Sequence, residues 1–321
     1  MKKINILITA VGGDIGANII NILSQQKNVL FNIIGTDINK NIFNIDKINK
    51  FYHVNRTDNP NYANQILKII KEHFIEIVIP ISEKEILWFN NNKYIFKDLN
   101  TKIIINNNTI INNFLNKLET SIVLDNIAIK TPTTYLFSLF KNQLEFPIIL
   151  KSKYSINTKD IYIIKNQDQL NYLKTSIINK DDYIIQEYIG SIDEEYTTTV
   201  YKSSNKLEVI NFKRKLTGGM TSFATVYNNE VLTDYAKKIA NAFQLEGSIN
   251  IQSRKVGEEF YIFEINPRFS STVYIRNHFG FQDLLWWIED IFSFKILDNK
   301  LINIDLNGSA ILGYQYKFFK E

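Results

Sequence analysis

The sequence predicts an α/β protein in which a doubly wound parallel sheet comes first and antiparallel strands dominate the end of the chain. In the first third, short apolar runs alternate with segments of helical spacing, which is typical of a parallel sheet covered by helices. In the last third, strand-like runs follow one another with short turns between them, which favours antiparallel pairing. The length of 321 residues predicts more than one domain.

The first third begins with a buried strand at residues 4–9, because its apolar residues form a short run with little polar interruption. Gly12, Gly13 and Gly16 make a turn after it, and residues 17–23 carry helical spacing. The remaining elements of this part are a strand at 29–36 that ends at Asp37, a helix at 62–74, a strand at 76–80 and a strand at 102–105.

The rest of the chain mixes helices with strands that no longer alternate regularly. Helical spacing is found at residues 113–125, 167–174 and 231–243. Strand patterns are found at 146–151, 160–165, 182–187, 194–202, 207–215, 222–227, 248–255 and 259–266. The last two strands flank Gly257, and this arrangement predicts a hairpin.

Composition excludes several classes of protein. The chain has no cysteine, which excludes disulfide frameworks, thiolate nucleophiles and cysteine-based zinc sites. The net charge of +4 is small for this length and the lysines are spread along the chain, so we expect no nucleic-acid partner. No uncharged apolar run reaches the length of about 18 residues that a membrane helix needs. We therefore expect a cytoplasmic protein with no membrane partner.

The predicted hairpin carries the most informative polar residues. Residues two apart on a strand share a face, so Asn250 and Gln252 point one way and Glu264 and Asn266 point one way on the next strand. If the two faces coincide, carboxylate and amide oxygens converge, and such oxygens suit Mg²⁺ that is also held by phosphates. Arg268 follows two residues after Asn266, and its planar fork is suited to phosphate or carboxylate oxygens.

Two segments of this region resemble a known family. Residues 250–252 (Asn-Ile-Gln) and 264–270 (Glu-Ile-Asn-Pro-Arg-Phe-Ser) are similar to the metal-binding end of ATP-grasp ligases, especially of the large subunit of carbamoyl-phosphate synthase. The resemblance implies three domains. They are a Rossmann-like pre-ATP-grasp domain at 1–112, the small lobe of a two-lobed α+β ATP-grasp domain at 113–187, and its large lobe, with the metal site, at 188–321.

The resemblance also implies roles for individual residues. ATP with Mg²⁺ or Mn²⁺ would be the cofactor pair, and small-molecule carboxylates and amines would be the substrates. A carboxylate would attack the γ-phosphate, and an amine would then displace phosphate from the acyl phosphate. The implied nucleotide contacts are Lys117, Lys151, Gln186, Glu187, Tyr188, Ile189 and Glu195, the metal ligands are Gln252, Glu264 and Asn266, and the catalytic residues are Arg268 and Asn266. Lys213, taken as a nucleotide contact, shares its strand with Arg214 and Lys215, and this strand could place one or two cations toward a phosphate or be a solvated edge strand.

One stretch departs from the family pattern. The family usually covers the phosphates with a glycine-rich loop after the strand lysine, and residues 152–159 contain no glycine. Close approach of the backbone to phosphate is harder without glycine. Gly218 and Gly219 offer a second flexible loop. The glycine-free stretch keeps open the alternative of a non-catalytic nucleotide-binding module.

A second alternative comes from the first third. Gly12, Gly13 and Gly16 between a strand and a helix, with Asp37 at the end of the next strand, form a partial dinucleotide fingerprint. That pattern alone would indicate an NAD(P)-dependent oxidoreductase. The acceptor substrates are left open. Tyr274, Arg276 and His278 follow the metal motif and are candidates either for binding a carboxylate or for a structural role. A homodimer is also left open.

Overall fold

The computed structural model describes residues 2–154, 161–296, 304 and 306–313. The chain divides into two compact units, the first comprising Met1–Asn106 and Arg268–Glu321 and the second comprising Asn107–Pro267. The predicted boundaries differ from this division, because the residues after Pro267 group with the first unit and not with the preceding lobe. The boundary expected after residue 187 lies inside the second unit and stays a prediction.

Strands occur in both units. In chain order they are β1 (Lys2–Thr9), β2 (Val29–Asp37), β3 (Lys50–His53), β4 (Ile77–Ile79), β5 (Lys102–Ile103), β6 (Thr134–Leu136), β7 (Ile148–Ser152), β8 (Ile161–Ile164), β9 (Tyr183–Glu187), β10 (Glu195–Lys202), β11 (Leu207–Thr217), β12 (Met220–Val226), β13 (Gly247–Val256), β14 (Glu259–Asn266) and β15 (Ser309–Ile311).

The helices are short to medium in length. They are α1 (Asp14–Ser24), α2 (Tyr62–Glu72), α3 (Glu83–Asn91), α4 (Asn108–Leu115), α5 (Lys117–Asp125), α6 (Gln167–Ser176), α7 (Glu230–Ala242), α8 (Val273–His278) and α9 (Asp283–Phe292). None of the helices in the described ranges combines the length and apolarity that crossing a membrane requires.

A parallel sheet with the strand order β3-β2-β1-β4-β5 forms the centre of the first unit. The order reverses between β1 and β4, which is the switch point of a doubly wound sheet. Buried residues of the sheet, such as Leu7 and Val78, pack against Ile66 of α2 and Phe89 of α3. This architecture confirms the doubly wound domain that the sequence predicts.

Side-chain contacts explain why the end of the chain belongs to the first unit. Asn18 Nδ2 in α1 donates to the carbonyl oxygen of Ser271 at 3.2 Å. Gln25 Nε2, just after α1, donates to Tyr274 Oη in α8 at 3.0 Å. Within the returning segment itself, the fully buried Arg276 guanidinium donates to both oxygens of Asp283 at 2.9 and 2.7 Å. The returning segment is therefore anchored by polar contacts that its apolar pattern does not reveal.

The second unit contains two antiparallel sheets. The smaller has the order β6-β9-β7-β8, and the larger runs β14-β13-β10-β11-β12. One face of the larger sheet packs against α4 and α7 through buried residues that include Phe114, Val200, Ile239 and Ile251. Because side chains alternate along a strand, the polar residues between these apolar positions project from the opposite face.

The helix expected at 113–125 is interrupted. Asn116 separates α4 from α5 with extended backbone (φ −97°, ψ 114°), and its side chain accepts a hydrogen bond from the backbone N–H of Leu118. Asparagine is a preferred N-cap because its side chain satisfies an otherwise unpaired amide of the new helix. Lys117 is therefore the first residue of α5 and not the interior of a longer helix.

Candidate functional site

The β13–β14 hairpin places four polar side chains on one face of the larger sheet. Asn250 pairs with Asn266 and Gln252 pairs with Glu264 across the hairpin. Because residues two apart share a face, this register puts all four on the same side. Gly257 turns the hairpin with a φ of 58°, a conformation that favours glycine. We call this side of the sheet the polar face.

Two of the four residues are buried, and two can be reached. Asn250 is fully buried, and its Oδ1 accepts from Thr197 Oγ1 at 2.7 Å and from Thr199 Oγ1 at 3.3 Å. Asn266 is 3% exposed. Gln252 and Glu264 are half-buried, so a ligand can approach them. Asn250 thus supports the sheet, whereas Gln252 and Glu264 face outward.

The donor set of the polar face fits a weakly held hard cation. Glu264 is the single carboxylate among Gln252, Glu264 and Asn266, and its Oε1 lies 3.4 Å from Lys117 Nζ. Within the described ranges, no three His, Cys, Asp or Glu side chains form a group that could hold a metal by themselves. Magnesium is commonly bound by one or two carboxylates together with substrate phosphates. The residues therefore fit Mg²⁺ that arrives with a nucleotide.

Lys151 lies beside the polar face, in β7 of the smaller sheet. Its side chain is buried, and Nζ donates to the carbonyl oxygen of Phe263 at 3.5 Å. Burial lowers the pKa of Lys151 to about 7; the Glu264 carboxylate opposes this shift, and the charges of Lys117 and Arg254 add to it. An ammonium held here without full compensation is well suited to receive an anion.

Glu195, at the start of β10, is held by two arginines. Arg214 Nη2 donates to its Oε1 at 2.9 Å, and Arg254 Nη2 donates to its Oε2 at 3.4 Å. Arg214 and Glu195 are both almost fully buried. The sequence predicts that Glu195 accepts from ribose hydroxyls; in the structure each of its carboxylate oxygens already accepts from an arginine.

Lys213 is not brought to the polar face. It pairs across the sheet with Tyr196, which packs with Leu232 and Phe260 on the side that α7 covers. Its Nζ forms an ion pair with Glu194. Arg214, the next residue of β11, lies on the polar face in its place. The sequence does not decide which cation of residues 213–215 lies on the polar face, because the face of each one depends on the register of strand pairing.

The segment expected to hold adenine continues from β9. Gln186 is buried and its Nε2 donates to Thr134 Oγ1 at 2.7 Å. Glu187 is exposed, and its Oε2 accepts from the backbone N–H of Thr133 at 3.2 Å. The carbonyl oxygen of Ile189 accepts from Arg254 Nη1 at 3.2 Å. The structure thus places Gln186, Glu187 and Ile189 in hydrogen-bonded positions, and their nucleotide contacts stay predictions.

Arg268 belongs to the first unit and is held by an acidic residue there. Its Nη2 donates to Glu83 Oε1 at 3.1 Å, and its Nη1 donates to the carbonyl oxygen of Phe269 at 3.0 Å. The Nε atom is buried and has no hydrogen-bond partner among the described atoms. Arg268 thus keeps an unused donor.

Comparison with known proteins agrees with this geometry. Residues 179–288 match a family model described as "ATP-grasp in the biosynthetic pathway with Ter operon", and residues 6–104 match the PylC-like N-terminal domain. The chain carries an ATP-grasp domain. The predictions of this family and of a Rossmann-like domain before it are confirmed.

Two curated relatives are similar to this chain over part of their length. A D-alanine–D-alanine ligase of Campylobacter lari is 24% identical over 221 residues, which are 63% of this chain and 60% of the relative. A carbamoyl phosphate synthase large chain of Clostridium beijerinckii is 26% identical over 145 residues, which are 41% of this chain and 13% of the relative. The chain therefore spans less than two thirds of either relative.

Solved structures share the fold at low sequence identity. The ADP complex of N5-carboxyaminoimidazole synthetase from Staphylococcus aureus has a TM-score of 0.68 at 14% identity. The superposition covers 87% of this chain and 74% of the synthetase chain. An L-amino acid ligase from Bacillus licheniformis has a TM-score of 0.66 at 13% identity, and the superposition covers 89% of this chain and 74% of the ligase chain. At such identities the likeness shows the fold alone.

The glycine-rich turn before the ATP-grasp domain uses its acidic residue internally. Asp37 is 5% exposed, and its Oδ2 accepts from the backbone N–H of Gly12 at 2.8 Å while its Oδ1 accepts from that of Asn39 at 2.7 Å. A Cβ at Gly12 would lie 2.9 Å from Asp37 Oδ2, so glycine permits this approach. The carboxylate that a dinucleotide ribose would need is thus engaged by the chain itself.

Two further expectations are changed or limited by the structure. Arg276 is wrong as a candidate for binding a substrate carboxylate, because its fully buried guanidinium is held by Asp283, Ser270 and Thr272. The glycine-free stretch 152–159 lies largely outside the described residues, since 155–160 are not described. Gly218 and Gly219 form the turn between β11 and β12 with φ of 59° and 82°.

Sequence reasoning missed Arg254 as a member of the site, and among the cations of residues 213–215 it selected Lys213 and not Arg214. Arg254 carried a signal, because it is two residues after Gln252 and therefore shares its face. The signal for Arg214 was weaker, because both of its neighbours in the sequence are also cations and the sequence does not show which of the three faces the site.

Proposed function

We propose that the chain is an ATP-dependent carboxylate–amine ligase that forms an amide through an acyl-phosphate intermediate. The observation that carries the proposal is the excess of cations at the polar face of an ATP-grasp domain. Lys117, Lys151, Arg214 and Arg254 surround two carboxylates, Glu195 and Glu264. Four cationic groups against two carboxylates leave a net charge between +1 and +2 at pH 7, because a pKa of about 7 leaves Lys151 partly protonated, and a nucleotide polyphosphate would neutralise this charge.

The reaction needs two displacements. A substrate carboxylate oxygen attacks the γ-phosphorus of ATP, the bond to the β-phosphate oxygen breaks, and ADP leaves. An amine nitrogen then attacks the acyl carbon, and inorganic phosphate leaves with the bonding electrons of the C–O bond while the amine loses a proton. Neither step needs a protein nucleophile, so the burden on the chain is positioning and charge stabilisation.

The chain's own residues divide this work. Lys117 and Lys151 would bind phosphate oxygens, and Gln186 to Ile189 would hold the adenine. Gln252, Glu264 and Asn266 would hold Mg²⁺ or Mn²⁺, which neutralises phosphate charge when bound. Arg268, two residues after Asn266 in sequence, would stabilise the transferring phosphoryl group.

The substrate class is part of the proposal. A small amino acid, a peptide or a sugar acid would supply the carboxylate. Two of the similar proteins are named as a D-alanine–D-alanine ligase and an L-amino acid ligase, which supports testing amino acids first. A cytoplasmic location and a homodimer are further parts of the proposal, and analytical ultracentrifugation would test the dimer.

The decisive experiment measures ADP release with a panel of carboxylates and amines. We expect release that depends on Mg²⁺ and on both substrates. Arg268→Ala is expected to reduce turnover by at least a hundredfold, with ATP affinity within about threefold of wild type, because the arginine acts on the transferring group. Arg56→Ala, at an exposed arginine of the same unit, is the matched control and should leave turnover unchanged.

Each other outcome has a defined meaning. Retained turnover in Arg268→Ala would contradict the role of that residue. Binding of Mg-ATP without ADP release for any pair of substrates would support the non-catalytic module in place of the ligase. Titration of NADH fluorescence should show no binding, because Asp37 is engaged by its own turn.

A further inference from the structure

Arg254 makes a set of contacts that the general ATP-grasp site does not explain. It lies in β13, two residues after Gln252, on the same polar face. Its Nη1 donates to the carbonyl oxygen of Ile189 at 3.2 Å and its Nη2 donates to Glu195 Oε2 at 3.4 Å. One guanidinium therefore joins the expected adenine segment to β10 and β13.

The guanidinium is also packed against aromatic rings. Its Cζ lies 5.4 Å from the centre of the Tyr188 ring and 5.7 Å from that of Phe263. Arginine binds such surfaces through cation–π attraction while its planar fork keeps directional hydrogen bonds. Lysine cannot provide the fork and the stacked plane together. The site therefore uses the shape of arginine as well as its charge.

Backbone packing fixes the same junction. Gly190 has a φ of 59°, and a Cβ built on it would lie 3.0 Å from the carbonyl oxygen of Lys255 and 3.3 Å from Arg254 Cβ. The turn after Ile189 thus sits directly on β13, which leaves no room for a larger residue. Because Ile189 follows Tyr188 and Glu187 in the chain, movement of Arg254 would move the whole segment.

We propose that Arg254 is a positioning residue that sets the adenine segment at a fixed distance from the phosphate-binding cations and the metal-binding strand. This inference rests on the proposed function, since it assumes that residues 186–189 bind adenine. Arg254 acts through Ile189, Tyr188 and Glu195 and does not need to touch the reacting atoms. Its loss should therefore weaken recognition of the adenosine half of ATP more than recognition of the polyphosphate half.

The experiment compares two ligands by isothermal titration calorimetry, ATP and inorganic tripolyphosphate. In Arg254→Met we expect the Kd for ATP to rise at least tenfold and that for tripolyphosphate to rise by about threefold at most, because the polar face loses one of its cations. The KM for ATP should rise in the same proportion, with kcat within about threefold. Lys151→Met is the comparison variant, and it should weaken both ligands. Arg56→Met is the surface control and should weaken neither.

A second variant guards against loss of folding. Arg254→Lys keeps the charge, so we expect it to fold with a thermal midpoint near that of wild type and still to bind ATP at least threefold more weakly. Equal weakening of ATP and tripolyphosphate in either variant would overturn the positioning role and make Arg254 a phosphate ligand. Unchanged ATP affinity in Arg254→Lys would also overturn it.

Failure of the proposed function would look different. If the wild-type protein bound neither ATP nor tripolyphosphate, the assignment of the nucleotide site would fall and the role of Arg254 with it. If the wild-type protein bound both ligands and Arg254→Met bound each of them with the affinity of the wild type, the positioning role alone would fall.

Discussion

The glycine-rich turn of the first unit and the polar face of the second both match nucleotide-binding patterns in the sequence, yet the chain uses their polar groups in opposite ways. At the turn, both oxygens of the buried Asp37 carboxylate accept backbone hydrogen bonds from Gly12 and Asn39. At the polar face, Lys151 has a lowered pKa in a site where cations outnumber carboxylates, and the Nε atoms of Arg214 and Arg254 are buried without a partner among the described atoms.

This difference shows how a structural site can be told from a binding site. A polar group that the chain itself satisfies contributes to folding, and a ligand that used it would first have to break that contact. A buried donor or charge without full compensation costs free energy in the free protein, and a ligand that satisfies it recovers that cost. By this criterion the Asp37 carboxylate supports the fold, and the cations of the polar face favour an anion.

The largest expected effect that tests the comparison is that of Lys151→Met on ATP binding. Loss of charge-assisted hydrogen bonds to phosphate should cost about 2–3 kcal/mol, or roughly a hundredfold in affinity. Isothermal titration calorimetry with Mg-ATP would measure it. Lys130→Met, at a half-exposed lysine of the same unit, is the control. A change of less than threefold in Lys151→Met would remove this lysine from the site.

The same substitution should stabilise the free protein. The folded pKa of Lys151 is about 7 and its ordinary value is 10.5, so unfolding takes up a proton between these values. The free energy of unfolding of the wild type should therefore rise with pH in this window by up to about 1.4 kcal/mol per unit. Lys151→Met lacks this pH dependence. Its free energy of unfolding should therefore exceed that of the wild type most at pH 7, and the difference should shrink towards pH 10.

Denaturant unfolding at several pH values would measure this advantage. Equal stability of the two proteins at pH 7 would show that the buried ammonium is compensated, and the contrast between the two regions would lose its main support.

Much of the fold was readable because it follows from local patterns. The hairpin around Gly257 and its four polar residues follow from strand periodicity and one turn, and the register confirms that they share a face. The parallel sheet of the first unit follows from strand–helix alternation. These features depend on short stretches of sequence.

Other features depend on pairing or on distant contacts and were missed. The choice between Lys213 and Arg214 is set by the register of β11 against β10, which a run of three cations does not specify. The return of the chain to the first unit depends on contacts such as that of Asn18 with Ser271, 253 residues apart in the sequence. The break at Asn116 is a capping event inside a segment whose apolar spacing continues.

The next smaller expected effect is that of Asp37→Asn, in the glycine-rich turn of the first unit. Asp37→Asn leaves one carbonyl oxygen for the two backbone N–H groups of Gly12 and Asn39, so we expect the free energy of unfolding to fall by about 2 kcal/mol. The affinity for ATP should not change. Urea unfolding and calorimetry would measure the two quantities, with the exposed Asp58→Asn as the control. An unchanged stability together with weaker ATP binding would reverse the comparison and make the turn a nucleotide site.

The smallest effect concerns a second carboxylate that the first unit satisfies internally, Glu85. It is 7% exposed and accepts from Tyr62 Oη at 2.9 Å and Ser82 Oγ at 2.7 Å, and burial raises its pKa despite these bonds. A raised pKa means that stability is complete at low pH and is lost as pH rises from about 4.3 through the folded value.

Glu85→Gln keeps a neutral group of the same shape, so we expect about 1 kcal/mol of added stability at pH 7 that disappears near pH 4. Glu145→Gln, at an exposed position of the second unit, should show no such trend. A loss of stability in Glu85→Gln at pH 7 would mean that the ionised carboxylate is the form the fold prefers. Glu85 would then be a compensated buried charge like the Arg276–Asp283 pair of the same unit, which would sharpen the contrast with the polar face.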